Sequence, residues 1–400
     1  MSPQILYDAL EHEALTEIVF DPDAARAFIV DVVRTVDGMY DRAAGWLLHP
    51  EDDYGQTNKA STLGVYFGAA GTIWGLSHLA KRYDLVLRHD YAHAIERVEE
   101  RYEACPDEER GLSYLVGICG IAFVRYILTR ESAALDRCMR AAARNVGNPT
   151  REFLWGSPGS VFPALILREV TGEDRFDDLI RAVQDELWKT WEPEREDGGL
   201  LWRQDMYGRH NKYLGAAHGA ITNIAVFLRA IDLLDSQRRN EVLSRTRAFL
   251  ERYASVDGDA VNWYAMGDPV SENRLQWCHG AAGIITSLAA LKPQDDVVED
   301  LLRRGGNAIW QAGPLKKGPT LCHGTAGNGF AFLQLALRSG EAIWLERAQH
   351  FAMHAIHQVQ AWRAQFGRPS ASFWTGEIGV ALYVDAVLRN DPRMLSIDVA

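Results

Sequence analysis

Two Cys-His-Gly triplets, Cys278-His279-Gly280 and Cys322-His323-Gly324, stand 44 residues apart, and each glycine is followed three positions later by another. Thiolate and imidazole are ligands that zinc favours, and a catalytic zinc commonly takes three protein ligands and keeps a fourth position open. Cys278, Cys322 and His323 read as such a set for one Zn²⁺, with the open position taken by a substrate thiol. His279 is the competing imidazole. Using it as well would close the site and make it structural, although neighbours across one peptide bond rarely face the same ion. Two thiolates and a neutral imidazole roughly cancel the charge of Zn²⁺, so a third bound thiolate is electron-rich and suited to attack carbon. A free thiol, with a pKa of about 8.5, is barely ionised near neutrality, whereas a metal deprotonates it outright. An α,β-unsaturated amide would take that sulfur at Cβ, and an acid must then return a proton to Cα.

His218, in Gly215-Ala216-Ala217-His218-Gly219, is the first candidate for that acid; a fourth metal ligand or a structural histidine is the alternative. Glu152, four residues before Gly156, is the second candidate, and otherwise a solvated carboxylate. Lys316, Lys317 and Arg368 precede later glycine pairs and are placed to hold substrate carboxylates or an enolate oxygen, against the common fate of a loop cation, which is to face solvent. His350, His354 and His357 recur at helical spacing, as do His89 and His93, and read as solvated polar faces ahead of a surface metal site. Trp277 reads as core or as a shield for the metal. No phosphate-cradling loop or nucleophile elbow is present in the sequence.

The elements that must carry these residues recur. Gly-x-x-Gly followed by an apolar run occurs at Gly68/Gly71, Gly117/Gly120, Gly156/Gly159, Gly280/Gly283, Gly324/Gly327 and Gly376/Gly379, with a seventh copy at Gly219, where Thr222 replaces the second glycine. The spacings leave room for two helices per unit. In the sixth unit, Asp296 to Trp310 is predicted as an amphipathic helix and about Thr325 to Arg338 as one apolar on nearly every side. This alternation predicts an all-α fold, an α/α toroid: a double ring of seven helical hairpins, about fourteen helices, with polar-faced helices outside and apolar ones inside. Glycines in the first turn of each inner helix would let crowded backbones approach near the axis. With no linker or low-complexity stretch, residues 1–400 read as one domain.

Acidic residues exceed basic ones by 54 to 42, with no basic block to offset them, which argues against nucleic acid as a partner. Apolar runs such as Gly329 to Leu337 fall short of the roughly 20 residues a membrane span needs. Met1-Ser2-Pro3-Gln4 lacks the pattern of a secretory leader, and five sparse cysteines argue against a disulfide framework, so a soluble cytoplasmic protein is expected.

The Trp277-Cys278-His279-Gly280 and Cys322-His323-Gly324-Thr325-Ala326-Gly327-Asn328 motifs, Ala216-Ala217-His218-Gly219 and the repeated glycine pairs together resemble the lanthionine synthetase C-like (LanC-like) family over nearly the whole chain. The resemblance implies an α/α toroid of fourteen helices with zinc at the rim, held by Cys278, Cys322 and His323. Bacterial cyclases of that family add peptide cysteines to dehydroalanine or dehydrobutyrine, forming thioether rings. Eukaryotic relatives bind glutathione and are associated with adding it to dehydroamino acids in damaged proteins. His218 matches the cyclases' active-site histidine, and Glu152 falls where they carry an aspartate. Leu315-Lys316-Lys317-Gly318, with His279 where a dedicated cyclase often has tyrosine, is more similar to the glutathione-binding branch; Arg368 resembles it loosely, its loop being shorter here.

The function expected from sequence is therefore zinc-dependent activation of a thiol, a peptide cysteine or glutathione, for addition to a dehydroamino acid. A kinase or dehydratase partner would supply the electrophile. The alternatives are a non-catalytic zinc- and glutathione-binding scaffold and, further off, zinc-dependent prenyl transfer, whose usual ligand set includes an Asp.

Overall fold

The computed structural model describes residues 5–52, 59–191, 200–267, 272–293 and 295–399; Met1–Gln4, the start of the expected leader-free terminus, lie outside them. Outer and inner helices alternate in seven pairs. They are α1 (Pro22–Gly38) with α2 (Ala69–Arg82); α3 (Tyr91–Glu103) with α4 (Ile118–Thr129); α5 (Ser132–Arg144) with α6 (Ser157–Ser160) and α7 (Phe162–Thr171); α8 (Asp177–Thr190) with α9 (Ala220–Arg229); α10 (Ser236–Tyr253) with α11 (Ala281–Ser287); α12 (Asp296–Ala312) with α13 (Thr325–Ser339); and α14 (Ala342–Phe366) with α15 (Glu377–Arg389). Segments α6 and α7 form one inner rod interrupted at Val161, where Pro163 cannot supply the N–H that would continue the ladder.

Burial separates the two rings. Outer α3 buries Tyr91, Ala94, Ile95, Val98 and Tyr102 on one stripe, whereas inner α13 buries every residue from Thr325 to Leu335. Outer helices bridge two inner ones: α3 lies on α2 and α4, α8 on α7 and α9, α12 on α11 and α13, and α14 on α13 and α15, whereas α10 lies on inner α9 and outer α12. Outer α1 packs against both α2 and α15, so the last unit meets the first and the toroid closes.

The glycine pairs have a specific cause. The first glycine of each pair caps an inner helix in extended conformation, except Gly280, whose φ is +120°. At the second glycine the obstacle is the chain's own incoming loop. A Cβ at Gly120 would stand 1.8 Å from the Tyr114 carbonyl oxygen, and Gly71, Gly159, Gly283, Gly327 and Gly379 face the carbonyl six residues earlier just as closely. In the exceptional fourth unit the Thr222 hydroxyl donates to the equivalent carbonyl, that of Ala216, at 2.5 Å. The crowding expected from neighbouring backbones near the axis is thus chiefly a loop folded back over its own helix.

Neighbouring loops are then stitched by backbone hydrogen bonds at six of the seven junctions. Val65 and Tyr66 N–H donate to Leu115, Phe153 to Ala217, Ala217 to Cys278, Cys278 to Cys322, Leu321 and Cys322 to Trp374, and Trp374 to Tyr66. Every arrow runs from one unit to the next, and the last returns to the first. Beneath this girdle Trp277, Trp374, Phe153 and Phe373 fill the axis, with the Trp277 and Trp374 rings 4.5 Å apart.

Two features were not expected from sequence. Short antiparallel hairpins interrupt the all-α pattern: β1 (Gln204–Met206) with β2 (Arg209–Asn211) before α9, and β3 (Ala254–Asp257) with β4 (Ala260–Trp263) before α11. The histidine stripe on α14 is not a solvated face. His354 is 2% exposed, its Nε2 2.8 Å from Glu13 and its Nδ1 accepting from Thr16 N–H, and His350 packs on Trp310; only His357 is exposed. The His354–Glu13 pair anchors an N-terminal strap that crosses the rim, where Glu13 N–H donates to Pro314 and Lys316 N–H to Glu11. His89 likewise precedes Asp90, the cap of α3, so it shares no helix face with His93. Among the described residues no helix is long and apolar enough to cross a membrane.

The glycine geometry makes a direct prediction. Gly120→Ala, remote in sequence from Cys278 and Cys322, should cost about 3 kcal/mol because backbone has to move. Thr222→Val, which removes only a hydroxyl bond, should cost about 1–2 kcal/mol. Denaturant unfolding of the two variants checks the order, and equal losses would refute the clash.

Candidate functional site

The repeat places equivalent residues around one end of the axis. Two positions before the capping glycine come Tyr66, Leu115, Leu154, Ala217, Cys278, Cys322 and Trp374; one position before it come Phe67, Val116, Trp155, His218, His279, His323 and Thr375. Both cysteines and all three histidines therefore sit on adjacent rim loops.

The girdle joins Cys278 N–H to the Cys322 carbonyl at 3.0 Å, and the two thiols are hydrogen-bonded to each other. Both are buried, at 6% and 3% exposure. Gln276 Nε2 donates to Cys278 Sγ at 2.8 Å, and the Tyr66 hydroxyl reaches the Cys322 sulfur. Burial opposes ionisation of Cys278, yet the Cys322 thiol, the field of His218, the Gln276 amide and Lys317 together hold its pKa below the ordinary thiol value. Cys322, donor in that pair and equally buried, is pushed up. The pair is thus disposed to lose one proton more readily than an ordinary thiol and the second less readily.

Burial drives His279 and His323 down to about 3, helped at both by Lys317 and Arg274 and at His279 also by His218. Both rings are neutral near pH 7 and have a lone pair to offer. His279 Nδ1 is buried without a hydrogen-bond partner, and its ring lies 5.4 Å from Tyr213 and 5.8 Å from His218. Among the described residues no group of three His, Cys, Asp or Glu side chains is already assembled to hold a metal ion. What is assembled is the sulfur pair, with one neutral imidazole directly following each cysteine. By donor chemistry these residues fit a thiophilic cation.

On the neighbouring loops, Glu152 is fully buried rather than solvated. Its carboxylate accepts the N–H groups of Leu154, Trp155 and Gly156 and lies 2.9 Å from His218 Nδ1. A carboxylate with no proton to give assigns the proton to Nδ1, leaving Nε2 for chemistry. Trp155 stacks on the His218 ring at 5.4 Å and 18°. Glu152 therefore acts on His218 and has no donor role of its own in this geometry.

The three cations diverge. Lys317 reaches both thiols and both buried histidines with its field. Lys316 Nζ donates to the Leu10 carbonyl at 2.9 Å and holds the strap, while the Arg368 guanidinium donates to the Leu48 carbonyl. Lys317 shares a cleft of about 930 Å³ with Arg274, Gln276, Leu315, Tyr7 and Asp8. Trp277, 2% exposed, donates to Thr286 Oγ1 and forms floor beneath the loops. Sequence reasoning missed Arg274, Gln276 and Tyr66. Aligning the units on their capping glycines would have found two of them: Tyr66 shares the cysteines' position, and Gln276 shares the position of Glu152, four before the glycine. Arg274 has no such signal.

A family model described as "Lanthionine synthetase C-like protein" matches residues 59–398. The chain is 27% identical over 267 residues to the Danio rerio protein named "Glutathione S-transferase LANCL1", taking in 61% of this chain and 63% of that one. It is 26% identical over 210 residues to "LanC-like protein GCL1" of Arabidopsis thaliana, 51% of this chain and 46% of that one. These matches span less than two thirds of either relative. Among solved structures, nisin cyclase superposes with a TM-score of 0.63 at 15% identity, covering 92% of this chain and 94% of that one; at such identity the likeness is one of fold.

The Glu152–His218 geometry is testable by itself. Glu152→Gln replaces an acceptor of four donors by a group with one acceptor oxygen, so stability should fall by about 1–3 kcal/mol. Selective ¹⁵N labelling of histidine should show His218 protonated at Nδ1 in the wild type and a tautomer mixture in the variant. An unchanged spectrum would remove Glu152 from control of the ring.

Proposed function

Because the chain belongs to the lanthionine synthetase C-like family, we propose that its rim site binds one Zn²⁺ through Cys278, Cys322 and His323 and activates a thiol for addition to dehydroalanine or dehydrobutyrine. The product is a thioether. The observation that carries this reading is the Cys278–Cys322 pair, two buried sulfurs from different repeats held in hydrogen-bond contact within the field of Lys317. Ionised, such a pair is expensive to bury without a cation.

When bound, the ion supplies a thiolate at neutral pH and leaves one position for a guest sulfur. The protein's own groups do the rest. Gln276 donates to the Cys278 sulfur and Tyr66 to Cys322, fixing both against rotation. Lys317 and Arg274 place positive charge where a thiol substrate's carboxylates, and the enolate oxygen formed by attack at Cβ, gain from it. His218, its Nδ1 proton committed to Glu152, offers the Nε2 lone pair to take the proton that the thiol gives up and then to return it to Cα. Sulfur adds to Cβ, the C=C pair moves to the carbonyl oxygen, and that pair returns as Cα takes the proton.

The thiol is a peptide cysteine or glutathione, and the name of the zebrafish relative favours trying glutathione first. We assign the reaction to the cytoplasm, where all five cysteines, free in the structure, stay reduced. A dehydratase or kinase partner would create the dehydroamino acid.

Purified protein should hold about one zinc per chain, and glutathione plus a dehydroalanine peptide should yield an adduct heavier by one glutathione. Chelation should abolish the gain and added zinc restore it. Cys322→Ala should lose at least about 100-fold. Stoichiometric zinc with no adduct would convert the assignment into a binding scaffold, and protein that takes up no zinc would remove it.

A further inference from the structure

The hairpin formed by β1 and β2 carries a residue that its backbone does not favour. Met206 pairs with Arg209, so the turn has two residues, Tyr207 and Gly208, with φ of +57° and +83°. Both values are positive, as in the turn type that joins two strands most tightly, and the first such position prefers Asn, Asp or Gly. A tyrosine there is strained by its Cβ. Burial does not explain it, since Tyr207 is 78% exposed.

The hairpin is fastened over the rim. Asp205 N–H donates to Pro149, Gln204 Oε1 accepts from Tyr213 N–H at 2.9 Å, Gln204 Nε2 donates to the His218 carbonyl, and Asp205 Oδ1 accepts from Gly208 N–H at 2.8 Å. The tip is therefore held at a fixed place relative to His218. There the Tyr207 ring meets Trp155 edge to face, centroids 5.8 Å apart at 82°, and Trp155 in turn stacks on His218. The field of Glu152 reaches the Tyr207 hydroxyl. Tyr213, at the other foot of the hairpin, lies 5.8 Å from His218. An exposed ring, locally disfavoured, rigidly mounted and continuous with the candidate acid, is what a ligand platform requires.

We infer that Tyr207 and Trp155 form an aromatic subsite that takes the electrophilic peptide, with the planar, conjugated enamide of the dehydroamino acid or its flanking peptide group lying against the rings beside His218. The inference rests on the thiol-addition reading for the identity of the peptide. It assigns the hairpin to the electrophile and leaves the cleft of Lys317 and Arg274 to the thiol. Tyr207 is then a positioning residue: it sets where Cα sits relative to His218 Nε2.

The test uses a fluorescently labelled seven-residue peptide with dehydroalanine at its centre and the full-length chain, with thiol withheld so that nothing turns over. Anisotropy reads binding and thermal melting reads stability. Tyr207→Asn should weaken binding about fivefold while raising Tm by about 1–2 °C, since Asn suits the turn. Tyr207→Phe should bind as the wild type does. Unaltered binding in Tyr207→Asn, equal weakness in Tyr207→Phe, a Tm that falls together with affinity, or no binding by the wild type would each overturn the subsite. Binding as described without thioether formation when zinc and glutathione are added would overturn the function reading alone.

Discussion

The girdle of backbone hydrogen bonds around one end of the toroid is the constraint from which the rest of this molecule follows. At six of the seven junctions a rim loop donates to the next, and the seventh loop returns to the first through Trp374 N–H and the Tyr66 carbonyl. To reach its neighbour the loop must fold back across the first turn of its own inner helix, which brings a carbonyl against the third residue after the capping glycine. Only a glycine fits beneath that carbonyl, or, at Thr222, a side chain that bonds it. The repeated glycine pairs are thus the sequence trace of a hydrogen-bond pattern, and the apolar inner helices follow because nothing polar can be solvated behind a closed rim.

The same girdle produces the chemistry. Hydrogen-bonded loops bring corresponding residues of adjacent units close together, so two cysteines 44 residues apart become neighbours without any local sequence contact. Ionising a buried sulfur is unfavourable without compensation, and the surroundings supply it in graded form: an amide from Gln276, a phenol from Tyr66, and the fields of Lys317 and His218. Of those groups, His218, Gln276 and Lys317 help hold the Cys278 pKa below the ordinary thiol value, while its partner thiol and burial push that of Cys322 above it.

Much of this was legible because period and chemistry coincide. The glycine register gave the number of hairpins, α12 and α13 begin where the sixth unit places them, and the Cys-His-Gly triplets land on adjacent loops. Legibility failed where a residue's partner comes from elsewhere in the chain. Nothing local to His354 announces Glu13, 341 residues away, so a buried anchor reads as a solvated stripe. Nothing in Lys316 or Arg368 distinguishes them from Lys317, yet two of the three cations hold backbone carbonyls of the strap and of an early loop. The hairpins escaped for another reason: strands of three or four residues are too short for alternation to register.

Three histidines, His218, His279 and His323, occupy one structural position, and what differs is the residue four before the capping glycine of the preceding unit. For His218 that residue is Glu152, whose carboxylate fixes Nδ1. For His279 it is Gly215, and a Cβ there would stand 2.3 Å from the Cys278 carbonyl and 2.8 Å from His279 Cα. The loops approach too closely at that junction for any side chain, so His279 Nδ1 is left buried and unbonded. For His323 it is Gln276, whose amide is already committed to the Cys278 sulfur. A symmetric scaffold thus differentiates identical imidazoles into one whose Nδ1 is held by a carboxylate and two kept neutral by burial. The distinction is made by the side chain, or its absence, that the neighbouring repeat presents.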